Sequence, residues 1–218
     1  MPMEPRLDLA ILVDRLLRLF RLDTTVFDEV RLDPAATAPA ILVLVTSTAL
    51  AGLGGWFWWI VRDFGDVGNV FFQSVILGSI FSVALWIVWL LVSWVILTQL
   101  FREEADWQQM LRTMGMASVP LALSIALLVP GIDFGIGLAS VALFFGLTTI
   151  AIQAVTPANP ARVLVANLGG FAIWAIVLGL LVSSDSFLAP GIFLFDAPSE
   201  ALSDYFSDFF GDLAISFN

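Results

Sequence analysis

Four carboxylates near the end of the chain are spaced so that they could hold a divalent cation. Glu200, Asp204, Asp208 and Asp212 fall four residues apart, which places them on one face of a helix. Carboxylates one helical turn apart can share calcium, but no turn-type calcium loop accompanies them, and like charges at this spacing slightly oppose the helix. A solvated acidic face is the simpler interpretation, and we expect no metal.

The residue inventory also limits catalysis. The chain has no histidine and no cysteine, which excludes a Cys/His zinc site, a cysteine nucleophile and a histidine-based triad. Intramembrane aspartyl proteolysis needs two aspartates inside apolar segments, and ion-coupled transport usually needs one ionisable residue there. Asp133 is the only acid expected near membrane depth, in a tight turn where capping the next helix is the simpler role. We therefore expect no enzyme and no cofactor.

The composition is that of a membrane protein. Hydrophobic residues make up 60% of the 218 residues and charged ones 13%. The formal net charge of −10 argues against nucleic-acid binding, because neutralising phosphates requires a basic face. All basic residues are arginine.

Five long stretches carry no charged residue. They cover about residues 40–61, 71–101, 113–130, 134–155 and 163–183. A helix over residues 71–101 would be roughly 46 Å long, against roughly 30 Å of bilayer hydrocarbon. The sequence therefore predicts an all-α, polytopic membrane protein, a bundle of five transmembrane helices over residues 39–185.

Amphipathic segments flank the bundle. In the N-terminal segment, residues 1–38, apolar residues recur every three or four positions over Leu9–Phe20 with arginines beside them. This helix could lie on the membrane surface or pack on the bundle, and both alternatives stay open. Thr25 and Asp28 resemble a capping box for a short helix over Val26–Leu32. A further interfacial helix is expected over residues 102–112, and an acidic amphipathic tail over residues 186–218.

Two groups of residues are expected to matter for insertion and packing. Arginine and tryptophan at the ends of apolar segments favour headgroup depth, and small residues four apart let helices approach closely. The expected membrane-interface residues are Arg15, Arg18, Trp56, Trp58, Trp59, Trp107 and Arg112. The expected helix-packing residues are Ser47, Ala51, Gly55, Ser74, Gly78, Ser82, Gly115, Pro120, Ala175 and Gly179. Asn167 is expected to hydrogen-bond across helices rather than to line a solute path.

The arginines predict the orientation. With five spans, eight of the nine arginines fall on the side that holds the N-terminus, and Arg62 alone falls on the other. By the positive-inside rule the N-terminus is cytoplasmic and the C-terminus outside. We expect a multi-pass protein of a prokaryotic cytoplasmic membrane.

Three stretches resemble the Yip1 domain family of five-span membrane proteins. The sequence Trp-Gln-Gln-Met-Leu-Arg-Thr-Met-Gly-Met-Ala-Ser-Val-Pro at residues 107–120 is similar to the family's polar lead-in, Gly-Tyr-Ala and proline, with Met116 where tyrosine is frequent. Residues 27–34 and 161–162 extend the resemblance to about residues 20–185. It implies five spans, a cytoplasmic N-terminus and a non-enzymatic organiser of membrane traffic. Rab GTPase binding, known for eukaryotic relatives, is not carried over because the cytosolic domain is reduced to about residues 1–38.

Three functions from different classes follow. The leading hypothesis is a non-enzymatic membrane protein that organises or shapes the bilayer or scaffolds partner proteins. The alternatives are an uncoupled channel or carrier for a small solute and an accessory subunit of a larger membrane complex. Expected partners are membrane lipids, with other membrane proteins or a second copy as open alternatives.

Overall fold

The chain is folded entirely from helices over the residues that the computed structural model describes, 8–61, 67–129 and 131–183. Eight α-helices follow one another in these ranges: α1 (Leu9–Phe20), α2 (Val26–Leu32), α3 (Thr37–Val61), α4 (Val67–Val70), α5 (Gly78–Val95), α6 (Trp107–Met116), α7 (Asp133–Gln153) and α8 (Pro160–Ser183). Non-α helical turns extend several of them: a 3₁₀ turn at Pro34–Ala36, π-helical turns at Phe71–Leu77 and Ile96–Leu100, and a 3₁₀ helix at Val119–Leu128.

Five continuous helical segments are long and apolar enough to cross a membrane. They are Pro34–Val61, Val67–Leu100, Trp107–Leu128, Gly135–Gln153 and Pro160–Gly179. The prediction of an all-helical fold with five apolar helices long enough to cross a membrane is thereby confirmed for the described residues. The acidic tail with its candidate cation ligands lies outside those residues, and no group of three acids suited to a metal occurs within them.

The third segment lies at the centre of the bundle. Of its most apolar stretch, 67% is buried, against 33–44% in the other four. Its N-terminal half differs from prediction, since residues 102–106 are not helical and α6 begins at Trp107. Asp106 caps α6 by accepting a hydrogen bond from the Gln109 amide at 2.8 Å. The segment therefore starts inside the expected interfacial helix, and Arg112 lies within its first two turns.

Glycines set the closest contacts between the first and third segments. A Cβ on Gly54 would lie 2.0 Å from the Ser124 carbonyl oxygen, and one on Gly115 would lie 3.0 Å from the Ala40 carbonyl oxygen. Because Ala40 meets Gly115 and Gly54 meets Ser124, the two segments run parallel. Both therefore start on the side of the bundle that carries α2.

Local sequence explains the two short N-terminal helices. The Asp8 side chain caps α1 by accepting from the amides of Ala10 and Ile11, and Asp33 ends α2 and accepts from the Ala35 amide. Thr25 is the predicted cap of α2, but its side chain makes no cap bond. It donates to the Asp23 carboxylate instead, so the capping-box prediction is wrong.

The α5, α7 and α8 helices meet around a cluster of aromatic rings. Trp89 on α5 packs against Phe144 on α7 and against Phe171 and Trp174 on α8, with ring centroids 5.0, 5.3 and 5.7 Å apart. Asn167 is fully buried beside them and accepts a hydrogen bond from the Trp89 indole at 2.9 Å. Its amide nitrogen donates to the α7 residues Phe145 and Thr149, so one polar side chain joins three helices.

Candidate functional site

The α1 and α2 helices form a hairpin that Arg18 holds together. The Arg18 guanidinium donates to Asp23 at 2.8 Å, to Glu29 at 2.7 Å and to the Thr25 hydroxyl at 2.9 Å. These acceptors lie in the turn and on α2, so one side chain fixes the angle between the helices. The placement of Arg18 at headgroup depth stays a prediction, and its observed hydrogen bonds all lie within the hairpin.

The same hydrogen bonds shift the pKa of Asp23. Hydrogen bonds from the Thr25 hydroxyl and then from Arg18 lower the pKa of Asp23 to about 2. Hydrogen bonds to Asp23 and Glu29 in turn raise the pKa of Arg18. Both side chains are charged across the physiological range, so the hairpin is held by permanent charges.

One side of the hairpin packs on the bundle. Leu12 and Leu19 of α1 and Val26, Phe27 and Val30 of α2 are buried in one cluster with Ala40 of α3 and Met116 and Ala117 at the end of α6. Arg15 lies at the edge of this contact and donates to Asp33 at 2.9 Å with 12% of its side chain exposed. Packing on the bundle, one of the two alternatives for α1, is therefore observed for this face.

A second, adjacent face of α1 is apolar and uncovered. Leu9, Val13, Leu17 and Phe20 are 64%, 53%, 52% and 59% exposed. At 100° per residue they fall within an arc of roughly 80° beside the buried leucines. We call these four residues the α1 stripe. The helix thus has a buried face, an exposed apolar face and a charged face, which is the pattern of a helix lying at a membrane surface.

Two further residues expected at the membrane interface, Trp107 and Arg112, make contacts inside the protein. Trp107 packs against Trp94 with ring centroids 6.1 Å apart. Arg112 is 6% exposed and donates to the Arg31 carbonyl at 2.8 Å. Arg162, in the first turn of α8, pairs with Glu103 in the segment before α6. Together these contacts gather α2, the start of α6 and the start of α8 at one end of the bundle.

The three tryptophans that close α3 lie at the opposite end. The Trp56 indole donates to the Val67 carbonyl, and the Trp58 indole donates to the Asp133 carboxylate, each at 2.9 Å. Trp59 is half-buried. Asp133 is the predicted cap of α7, but Ile132 holds the cap position and no side chain makes a cap bond there. Asp133 is the first residue of α7 and accepts a bond from α3, so its observed contact joins two helices.

The expected packing residues of the first two segments are buried. Ser47, Ala51 and Gly55 face inward on α3, and Gly78 and Ser82 face inward on α5. Ser74 donates to the Gly52 carbonyl at 3.3 Å, linking the first and second segments. Pro120 accepts a bond from Ser140 at 2.8 Å, linking the third and fourth.

On α8 the expected residues are not the innermost ones. Ala175 and Gly179 are only partly buried, whereas Trp174 and Leu178 are buried. A Cβ on Gly170 would lie 2.6 Å from the Trp89 carbonyl oxygen, so the tightest contact of α8 is there. In the sequence, the buried face of α8 is marked by Asn167, the one strongly polar residue within the span.

Comparisons with protein-family models, with curated proteins and with solved structures found no match to this chain.

Proposed function

We propose that this is a non-enzymatic, multi-pass membrane protein that organises the bilayer, with the α1 stripe inserted into the lipid of one leaflet. The observation that carries the proposal is the stripe itself: four exposed apolar side chains on a helix fixed by ion pairs just before the first membrane-crossing segment.

The position of the hairpin favours lipid as the occupant of the stripe. Only Asp33 separates α2 from Pro34, where the first segment begins, so α1 is held near the level at which the chain enters the membrane. Full burial of a large aliphatic or aromatic side chain is worth about 1.5–3 kcal/mol, and about half of each stripe residue is still exposed. Insertion of the stripe therefore contributes a few kcal/mol.

A rigid hairpin explains why insertion would act on bilayer shape. An amphipathic helix at the headgroup boundary takes up area in one leaflet only. Because Arg18 and Arg15 tie α1 to α2, and buried residues tie both to the bundle, the helix cannot simply swing away from lipid. The protein then acts as a wedge whose depth is fixed by its spans.

The interior of the bundle favours this function over a solute path. The aromatic rings of Trp89, Phe144, Phe171 and Trp174 fill the space between α5, α7 and α8, and Asn167 uses its amide for helix contacts. The cytoplasmic orientation, the Yip1 resemblance and the role as an accessory subunit stay predictions from sequence.

Reconstitution tests the proposal with a matched pair of variants. Val13 and Ile11 are equally exposed, at 53% and 51%, but Ile11 lies outside the arc of the stripe. Vesicles containing wild-type protein are expected to be smaller or more tubular than protein-free vesicles by cryo-electron microscopy. Val13→Asp should return them toward the protein-free distribution, and Ile11→Asp should resemble wild type. Indistinguishable vesicles with wild-type protein and with Val13→Asp would refute the proposal.

A further inference from the structure

Arg112 is a buried charge without a counter-charge in the part of the chain that the structure describes. Arg112 is 6% exposed, and no carboxylate among the described residues forms an ion pair with it. Its Nη2 donates to the Arg31 carbonyl, and its buried Nε has no hydrogen-bond partner. Buried charges in proteins are normally paired because removing an isolated ion from water costs several kcal/mol.

The other arginines nearby have their charges neutralised. Arg15 pairs with Asp33 and Arg31 pairs with Asp28, at 2.9 and 3.2 Å. The buried Nε of Arg15 has no hydrogen-bond partner and remains an unused donor. Arg31 lies in the last turn of α2 and Asp33 directly follows that helix, so the side chains of Arg15 and Arg112 both reach this helix end. Among the three arginines at the end of α2, only Arg112 has no carboxylate partner in the described residues.

The depth of Arg112 can be read from the helix contacts. Gly115, three residues later, meets Ala40, which lies in the first two turns of α3. Arg112 itself reaches Arg31, which precedes the first membrane-crossing segment. The guanidinium therefore lies beside the end of α2, at the end of the bundle where the first and third membrane-length segments begin.

We propose that Arg112 is the centre of an anion site that takes a phosphate group, carried by an anionic phospholipid of the surrounding leaflet. Guanidinium presents N–H donors that match phosphate oxygens, and a phosphate at the small exposed part of this side chain supplies the missing charge. Lipid is favoured over free phosphate because the first and third membrane-length segments both begin beside Arg112, so acyl chains that cover their apolar outer residues carry headgroups to this end of the bundle. The inference needs a membrane-spanning chain but not the wedge action of α1.

Native mass spectrometry of the full chain in a non-ionic detergent tests the site. The probes are dioleoylphosphatidylglycerol and dioleoylphosphatidylcholine, whose own ammonium competes for the phosphate. We expect the protein to retain one phosphatidylglycerol in preference to phosphatidylcholine. Arg112→Gln should weaken phosphatidylglycerol binding about tenfold or more, which is the effect of losing a charge-assisted hydrogen bond. Arg21→Gln removes the same charge from an exposed position on the hairpin and should change binding less than about twofold.

A second measurement holds even where Arg112→Gln fails to fold. In ¹⁵N-labelled wild-type protein, one arginine Nε–H resonance, assigned by its absence from Arg112→Lys, should shift when phosphatidylglycerol is added. Inorganic phosphate at millimolar concentration separates the two sources: no shift is expected for a lipid site, and a shift that displaces the lipid would assign the site to soluble phosphate. If neither probe moves this resonance, there is no anion site at Arg112. That outcome leaves the α1 stripe untouched, so the two proposals fail separately.

Discussion

Two serines on α5 differ only in whether they have a hydrogen-bond partner. Ser82 and Ser93 are 2% and 0% exposed, but Ser93 donates to the Ala166 carbonyl at 3.2 Å while the Ser82 hydroxyl has no partner among the described residues. A buried polar group without a partner costs free energy, and a bond between membrane helices is worth about 0.6 kcal/mol on average.

We therefore predict opposite effects for the same substitution. Ser82→Ala should raise the free energy of unfolding by about 0.5–1 kcal/mol, and Ser93→Ala should lower it by a similar amount. Tryptophan fluorescence during denaturation in mixed micelles measures both. Destabilisation by Ser82→Ala as large as that by Ser93→Ala would mean that Ser82 has a partner after all.

The hairpin should respond to pH through Asp23. Its pKa is lowered from 3.8 to about 2 in the folded protein, so its contribution to stability is complete above pH 4 and is lost as the pH falls towards 2. Hydrogen-exchange protection of α1 amides, corrected for intrinsic rates, should be constant from neutral pH to pH 4 and fall below it. In Asp23→Asn, protection should be lower above pH 4 and should lose this dependence.

Asp14 provides the control for that titration. It lies 4.0 Å from Arg18 and most of its side chain is exposed. Asp14→Asn should keep the wild-type profile. A decrease in protection of α1 that begins near neutral pH would show that a different group controls the hairpin.

At the scale of helices, the tightest contact between segments should tolerate no added methyl group. A Cβ on Gly54 would overlap the Ser124 carbonyl, whereas a Cβ on Gly146 of α7 would meet nothing within 4 Å. Gly54→Ala should cost about 1–3 kcal/mol or more by overpacking, and Gly146→Ala should be neutral or stabilise by up to about 1 kcal/mol. Thermal unfolding of the two variants compares them directly, and equal midpoints would contradict the packing of α3 against Val119–Leu128.

Hydropathy predicts the helices well and their internal geometry poorly. Uncharged length indicates a span, and all five predicted spans overlap a membrane-length helix. Periodicity cannot distinguish α from 3₁₀ or π turns, so Pro120 indicates an interruption of the α-helix but not the 3₁₀ helix Val119–Leu128 that surrounds it. The ends of two helical segments are also hard to predict from the sequence. The usual mark of a helix end is a glycine with a positive φ angle, but here Leu22 and Arg102 take φ angles of 60° and 57°.

The sequence predicts the candidate site only in part, for a physical reason. The spacing over Leu9–Phe20 predicts an amphipathic helix, but it cannot divide the apolar arc between the bundle and lipid. That division depends on tertiary contacts of Leu12 and Leu19. Similarly, an arginine before an apolar stretch suggests headgroup depth, and only the position of α2 shows that Arg112 is buried.

For the whole molecule, side-chain contacts near the ends of the helices distinguish the two ends of the bundle. Arg162 pairs with Glu103 and Arg112 reaches Arg31 at one end, while Trp58 reaches Asp133 at the other. Among the described residues, all arginines lie at or near the first end. By the positive-inside rule we predict that this end is cytoplasmic.

Single cysteines test this orientation, since the chain has none of its own. In intact cells, Ile132→Cys should react with a membrane-impermeant maleimide, because Ile132 is exposed at the second end. Asp14→Cys should react only after the membrane is permeabilised. Labelling of Asp14→Cys in intact cells together with protection of Ile132→Cys would reverse the orientation.

The most direct test of the account is the environment of α1 in a lipid bilayer. Spin labels at single cysteines replacing Val13, Phe20, Ile11 and Asp14 report lipid by collisions with oxygen and water by collisions with a nickel chelate. Labels at Val13 and Phe20 should collide mainly with oxygen, and labels at Ile11 and Asp14 should collide mainly with nickel. Nickel access at Val13 and Phe20 equal to that at Asp14 would contradict it, because the α1 stripe would then face water.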